Sequence, residues 1–152
     1  MSTVGIRIAR RDDVAAVARL LAEDPLGAAR EAPDDLVPYL RAFDAMTAQG
    51  GNEILVAEDA AGAVVGCLQL TLIPGLSRRG MIRAQIEGVR VAARRRGERI
   101  GERLVEEAIA RARAAGCGLV QLTTDRSRGD ARRFYERLGF IASHEGMKLA
   151  LA

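Results

Sequence analysis

A strand that passes through a short glycine-bearing loop directly into a long amphipathic helix constrains this chain more than any other feature. Residues 83–91 read as a strand ending in Val89-Arg90-Val91, and the spacing predicts a helix over 100–115. Ile100, Leu104, Val105, Ala108 and Ala112 form its buried stripe; Glu102, Arg103, Glu106, Glu107 and Arg111 form its wet face. Gly116 closes it. A helix entered from a buried strand packs back on the sheet holding that strand, so an α/β arrangement follows. The helix start also presents N–H groups without intrahelical partners, at the positive end of the helix dipole. Anions, phosphates above all, bind at such places. Gly97 lets the backbone approach closely, Gly101 removes a side chain from the same rim, and the arginines add charge. Taken alone, the segment equally fits a basic helix start with nothing bound. It has no P-loop lysine-serine pair and no dinucleotide fingerprint.

The remaining chain supplies the sheet. Residues 4–9 read as a first strand, and Asp12 caps a helix with Val14, Val17, Ala18 and Leu21 on one face. Residues 22–33, with Pro25, Gly27 and Pro33, read as an irregular connection. A second helix starting near Asp34 carries Leu36, Leu40 and Phe43. A strand over 54–58 turns at Asp59-Ala60-Ala61-Gly62 into a strongly alternating one. There Val64, Gly66, Leu68, Leu70 and Leu72 face one way, and Val65, Cys67, Gln69 and Thr71 the other. A strand over 119–123, a helix over 130–138 stopped by Gly139, and two short strands around Glu145-Gly146 complete the chain. The order β-α-α-β-β-β-α-β-α-β-β implies a single domain over 1–152. Its mixed central sheet of about six to seven strands is flanked by helices.

Composition narrows the function classes. The length, 152 residues, is that of one domain, and 49% apolar with 28% charged residues is ordinary globular content. No run reaches the length of a membrane span and the first residues lack a signal-like apolar stretch, so a cytoplasmic location with no membrane partner is expected. A single histidine, His144, argues against a His-based metal site or a Ser-His-Asp triad, and no metal is expected. Cys67 and Cys117 sit in apolar segments and read as buried reduced thiols. Net charge is +3 and Lys148 is the sole lysine, so the cations are almost all arginine, the better residue for gripping phosphate. Nucleic acid and a phosphorylated cofactor both fit that charge. Aromatic content of 3% disfavours single-strand binding, and Glu98, Glu102, Glu106 and Glu107 interrupt the basic run.

Two motifs choose between these partners. Arg96-Gly97-Glu98-Arg99-Ile100-Gly101 resembles the Arg/Gln-x-x-Gly-x-Gly/Ala loop of the GNAT superfamily of N-acetyltransferases, which follows a Val-x-Val strand like Val89-Arg90-Val91. Residues 130–140, with Ala131, Phe134-Tyr135-Glu136, Leu138, Gly139 and Phe140, are similar to that family's Ala-x-x-Phe-Tyr-Glu-x-Leu-Gly-Phe segment. The resemblance runs closely from 82 to 142, and the element order extends it over nearly the whole chain. It departs at Arg99, where the family usually has glycine, and at Arg128, where many members carry a cofactor-bonding asparagine.

The resemblance implies an acyl-CoA N-acyltransferase fold and transfer of acetyl from acetyl-CoA to a primary amine by direct attack, with both substrates bound together. The backbone of Val89 and Val91 would pair with the pantetheine arm, and the Val91 N–H would polarise the thioester carbonyl. The pyrophosphate would lie on the amides of Arg96, Gly97, Glu98, Arg99, Ile100 and Gly101, with Arg128 a further cofactor contact. Glu87 is the candidate base: strand parity places it on the face of Val89 and Val91, and relatives use a glutamate there. As a bland alternative, it is a salt-bridge partner. Tyr135 resembles the residue that protonates the leaving thiolate; its alternative is core packing. A non-catalytic CoA-binding domain and a basic nucleic-acid-binding module are the competing functions. For the acceptor, Glu23, Asp24, Glu31, Asp34 and Asp35 suit a cationic amine, while Arg78, Arg79 and Arg83 suit an acidic or phosphonate group. A homodimer is among the assemblies that the resemblance implies.

Overall fold

A computed structural model describes residues 3–152. The chain divides into two compact units, one ending at Gln121 and the other covering Leu122–Ala152. In the first unit, five strands lie side by side in sequence order: β1 (Gly5–Ile8), β2 (Asn52–Glu58), β3 (Val64–Ile73), β4 (Arg83–Val91) and β5 (Leu119–Gln121). The first four pair antiparallel, and β5 joins β4 in parallel, as a crossover through a helix requires. The helices of this unit are α1 (Val14–Ala22), α2 (Pro25–Arg30), α3 (Val37–Gln49), the single turn α4 (Ser77–Gly80) and α5 (Ile100–Ala114). The mixed sheet with flanking helices is the architecture expected from the element order.

The alternation of β3 decides which helix covers which face. Gly66 lies under α5: a Cβ added there would meet Leu104 Cδ1 at 3.0 Å and Ile100 Cγ2 at 3.1 Å. The missing side chain lets the first turn of α5 sit close to the sheet. Leu55, Leu68, Leu104 and Val105 are fully buried in the core, each contributing about 1.5–3 kcal/mol of hydrophobic stabilisation. The face of Cys67 carries α1, with α2 packed against that helix. There Arg90, across from Cys67, reaches Asp24 between those two helices, Nε to Oδ2 at 3.5 Å.

Two expectations are corrected. Residues 22–33 are not wholly irregular: Asp24 caps α2, its Oδ1 accepting the Gly27 N–H at 2.5 Å, with Pro25 in the first turn. Proline and glycine read as breakers there, yet they mark a start and a close crossing, since a Cβ on Gly27 would fall 1.8 Å from the Leu21 carbonyl oxygen. The sheet has five strands, not six to seven. In the second unit, α6 (Gly129–Arg137) forms, but no strand is built around Glu145-Gly146 among the described residues. Met147 and Leu149 keep a strand's alternation and are 95% and 86% exposed. Alternation reports a capacity to pair; a strand exists only where a neighbour takes its hydrogen bonds.

Candidate active site

The site begins with a break in β4. Cys67 stands opposite Arg90 and Gln69 opposite Glu87, so Leu68 alone faces two residues, Gly88 and Val89. This is a β-bulge, with Gly88 at φ 61° supplying the left-handed conformation it needs. The extra residue changes the parity of everything after it. Glu87 shares the Gln69 face with α1, whereas Val91 stands opposite Gly66 on the α5 face. The expectation that Glu87 and Val91 share a face is therefore wrong. Simple two-residue counting ignores the inserted residue. Glu87 is exposed on the side of α1.

Past the bulge, β4 has a free edge. The Ala92 N–H donates to the Val65 carbonyl at 2.8 Å, so the preceding residue, Val91, directs its own N–H away from β3. On that other side, β5 pairs with Arg83, Ala84 and Gln85 and ends at Gln121. The polar edge of β4 near Val91 thus lies beyond the ladder. Carbonyls at the bulge are partly taken: Gly88 accepts the Cys67 thiol at 3.7 Å and Val89 accepts Arg90 Nη1 at 3.0 Å.

The loop into α5 turns at two left-handed residues, Gly97 (φ 86°) and Arg99 (φ 60°). At Arg99 this conformation costs a non-glycine residue roughly 1–2 kcal/mol. The Arg99 side chain points to Glu102, Nε to Oε2 at 2.9 Å, which keeps it on the outside of the turn. The helix ladder opens with the Arg103 N–H bonded to the Arg99 carbonyl at 3.1 Å. The amides of Gly97, Ile100 and Gly101 lie ahead of that bond, where a helix leaves donors for a ligand. Ile100 is buried against the sheet, while Arg94 and Arg96 are exposed beside the loop. Val89, Val91 and residues 96–101 therefore lie on one continuous run of strand end, loop and helix start.

Tyr135 and Arg128 belong to the second unit. Tyr135, half-buried on α6, sits edge-on between Phe134 and Phe140, with ring centroids 5.0 and 5.7 Å away. Arg128 precedes α6, and its carbonyl accepts the Ala131 N–H at 3.1 Å.

Four of the five acidic residues expected to attract a cationic acceptor, all but Asp34, have other work. Glu23 accepts the Ala93 N–H at 3.0 Å, and Asp24 serves Gly27 and Arg90. Glu31 accepts the Tyr39 hydroxyl proton at 2.7 Å, and Asp35 accepts the Val37 N–H at 3.3 Å. Arg83 lies at the opposite end of β4, paired with Ile73 and eight residues before Val91, and Arg78 and Arg79 lie in α4 ahead of it. At about 3.3 Å per residue, Arg83 is some 13 Å from Glu87. Cys67 is buried, which pushes its thiol up to about 12 and leaves it protonated and inert as a nucleophile at neutral pH. No group of three His, Cys, Asp or Glu side chains among the described residues is placed to hold a metal.

Sequence reading missed the bulge, whose signal was an isolated glycine, Gly88, inside a strand pattern. It also missed the pairing of Arg95 with Glu98, visible as an i, i+3 pair of opposite charges.

The sequence pattern of the acetyltransferase (GNAT) family matches residues 14–140. The chain belongs to that family. Among GNAT relatives, the aminoalkylphosphonate N-acetyltransferase of Salmonella typhimurium is 39% identical over 83 residues, 55% of this chain and 53% of that protein. The match thus spans about half the length of that relative. A solved structure from Bacillus halodurans C-125, described as a transcriptional regulator, is 46% identical with a TM-score of 0.94, covering 98% of this chain and 100% of the other. A Trypanosoma brucei acetyltransferase is 27% identical with a TM-score of 0.82, at 98% and 100% coverage. No helix among the described residues is long and apolar enough to cross a membrane.

Proposed function

We propose that this chain is an N-acetyltransferase moving acetyl from acetyl-CoA to a primary amine by direct attack, with both substrates bound. The observation that carries the reading is the free edge of β4 at Val91, continuous with the donor-rich start of α5. A cofactor with an amide-bearing arm and a pyrophosphate needs both parts in that order. When bound, acetyl-CoA supplies an activated acyl group.

The residues then divide the work. The Val91 N–H donates to the thioester oxygen as it gains negative charge. The amides of residues 96–101 take the pyrophosphate, with Arg96 adding charge and Arg128 a further contact. An amine with a pKa of about 10.4 lies 3.4 units from neutrality at pH 7, roughly 4.6 kcal/mol uphill. Glu87 takes its proton, directly or through water, from the α1 side. Tyr135 gives a proton to the departing thiolate. The amine forms the new C–N bond, the C–S bond breaks, and no cysteine takes part.

The Salmonella relative is named for aminoalkylphosphonates, so a small amine with an anionic group is the first acceptor to try. The Bacillus relative's description raises a second reading, gene control through nucleic acid. Part of the basic face that this needs is neutralised: Arg95, Arg99 and Arg111 pair with Glu98, Glu102 and Glu107, and Arg103 bonds the Val4 carbonyl, while Arg94 and Arg96 stay exposed. An amine panel read by thiol release from acetyl-CoA tests the proposal. Turnover with any amine supports it and removes a purely CoA-binding role. Binding only to DNA, steeply weakened by salt, would favour the alternative.

A further inference from the structure

Three consecutive arginines open the cradle, and the structure treats the middle one differently. Arg94 and Arg96 are exposed, but only 12% of the Arg95 side chain is. Arg95 grips Glu98 at two points, Nε to Oε1 at 2.7 Å and Nη2 to Oε2 at 2.8 Å. Its third nitrogen, Nη1, lies 3.5 Å from Asp59 Oδ2 in the turn between β2 and β3. That turn is itself fixed: Asp59 Oδ1 accepts the N–H groups of Ala61 at 3.0 Å and Ala63 at 2.9 Å. A rigid line of contacts therefore runs from the hairpin turn through Arg95 to Glu98, the residue between the two left-handed turns Gly97 and Arg99.

Glu98 is the sole carboxylate among residues 96–101. A free carboxylate in a loop that receives a pyrophosphate would repel it, and strongly so where water is partly excluded. Forked guanidinium pairing is the arrangement that both neutralises a carboxylate and fixes its direction.

We propose that Arg95 is a positioning residue for acetyl-CoA: it binds no phosphate itself, but holds the Glu98 carboxylate aside, neutralises it and braces the loop on the hairpin. This rests on the acetyl-CoA reading above. It assigns opposite signs to two neighbouring residues, the Arg95 charge favouring the cofactor and the Glu98 charge opposing it.

The test is calorimetric titration of the full chain with CoA at low salt, beside melting temperatures. Wild type without affinity for CoA would remove the underlying reading and this proposal with it. Given wild-type binding, Arg95→Gln weakens CoA about tenfold, because the Glu98 carboxylate loses its forked cationic partner near the phosphates. Adding Glu98→Gln to that variant brings affinity back to within about threefold of wild type, the mark of coupling through charge. Glu98→Gln alone binds about two- to fivefold tighter, since Arg95 then loses its forked carboxylate, keeps the 3.5 Å pairing with Asp59, and the loop carries one negative charge fewer. A merely structural brace predicts no rescue. Wild-type affinity in Arg95→Gln, or a double variant as weak as the single one, overturns the proposal. If Arg95→Gln does not fold, Glu98→Gln decides alone: tighter binding upholds the assignment, and unchanged or weaker binding ends it.

Discussion

The two halves of β4 share one strand and lead different lives. From Arg83 to Gln85 the backbone is hydrogen-bonded on both sides, to β3 and to β5. From Gly88 to Val91 it is bulged, loses β5 and runs out into the loop before α5. The first half spends its polar groups on the fold. The second leaves some of them outside the ladder, and the bulge sends Glu87 and Val91 to opposite faces. An acyltransferase of this kind needs both properties: a fixed strand to locate the thioester, and unsatisfied donors to bind it.

Proline exposes the contrast most severely, because it deletes one N–H at a time. Gln85→Pro breaks a doubly paired position and should cost about 3 kcal/mol or more, a fall of roughly 10 °C in Tm. Val91→Pro removes a donor that the sheet does not use. It should keep most of the melting temperature yet lower kcat by about 100- to 1000-fold, the usual loss for one oxyanion donor. Equal melting temperatures in the two variants would break the comparison.

Tyr135→Phe asks whether the open half needs a proton source from outside β4. The ring stays, with its edge-on contacts to Phe134 and Phe140, and only the hydroxyl is lost. An expected drop in kcat of about ten- to a thousandfold, with CoA affinity near wild type, is read by steady-state kinetics and calorimetry. Full activity would return Tyr135 to packing.

Glu87→Gln sharpens the bulge argument. As a base facing the α1 side, Glu87 matters most when the amine is protonated. The variant should be slow near pH 7 and regain rate towards about pH 9.5, as free amine approaches its pKa. A constant ratio of variant to wild type across that range would make Glu87 structural. The smallest effect is expected at Arg99→Gly, which relieves the left-handed backbone at the loop's end. After glycine's entropy and the loss of an exposed pair with Glu102, the gain is about 0.5 kcal/mol, measured as a Tm rise of roughly 1–2 °C.

Much of this was legible in residues alone. The alternation of β3, the stripe of α5 and the Val-x-Val strand running into Gly97 pointed to the sheet, its main helix and the loop that joins them. What stayed hidden depended on pairing. Gly88 looked like one more strand residue, yet its bulge reversed the face of Glu87. Pro25 and Gly27 read as loop because their composition could not reveal the crossing with α1. Glu23 and Asp24 looked available to a cationic acceptor because their partners, the Ala93 amide and Arg90, are distant in sequence, and Glu31 because its partner Tyr39 lies across an intervening loop. Met147 and Leu149 carry a strand's pattern without its ladder. Charge and alternation are local properties; which donor an acceptor meets is not.

The central claim is that the free edge of β4 and the start of α5 together receive acetyl-CoA. Residue-resolved amide hydrogen exchange, with and without CoA, tests it most directly. Slower exchange at Val91, Gly97, Ile100 and Gly101 is expected on addition of CoA, with Ala84 and Gln85 unchanged because the sheet already protects them. Protection confined to other segments, with Val91 and Gly101 exchanging as before, would contradict the account.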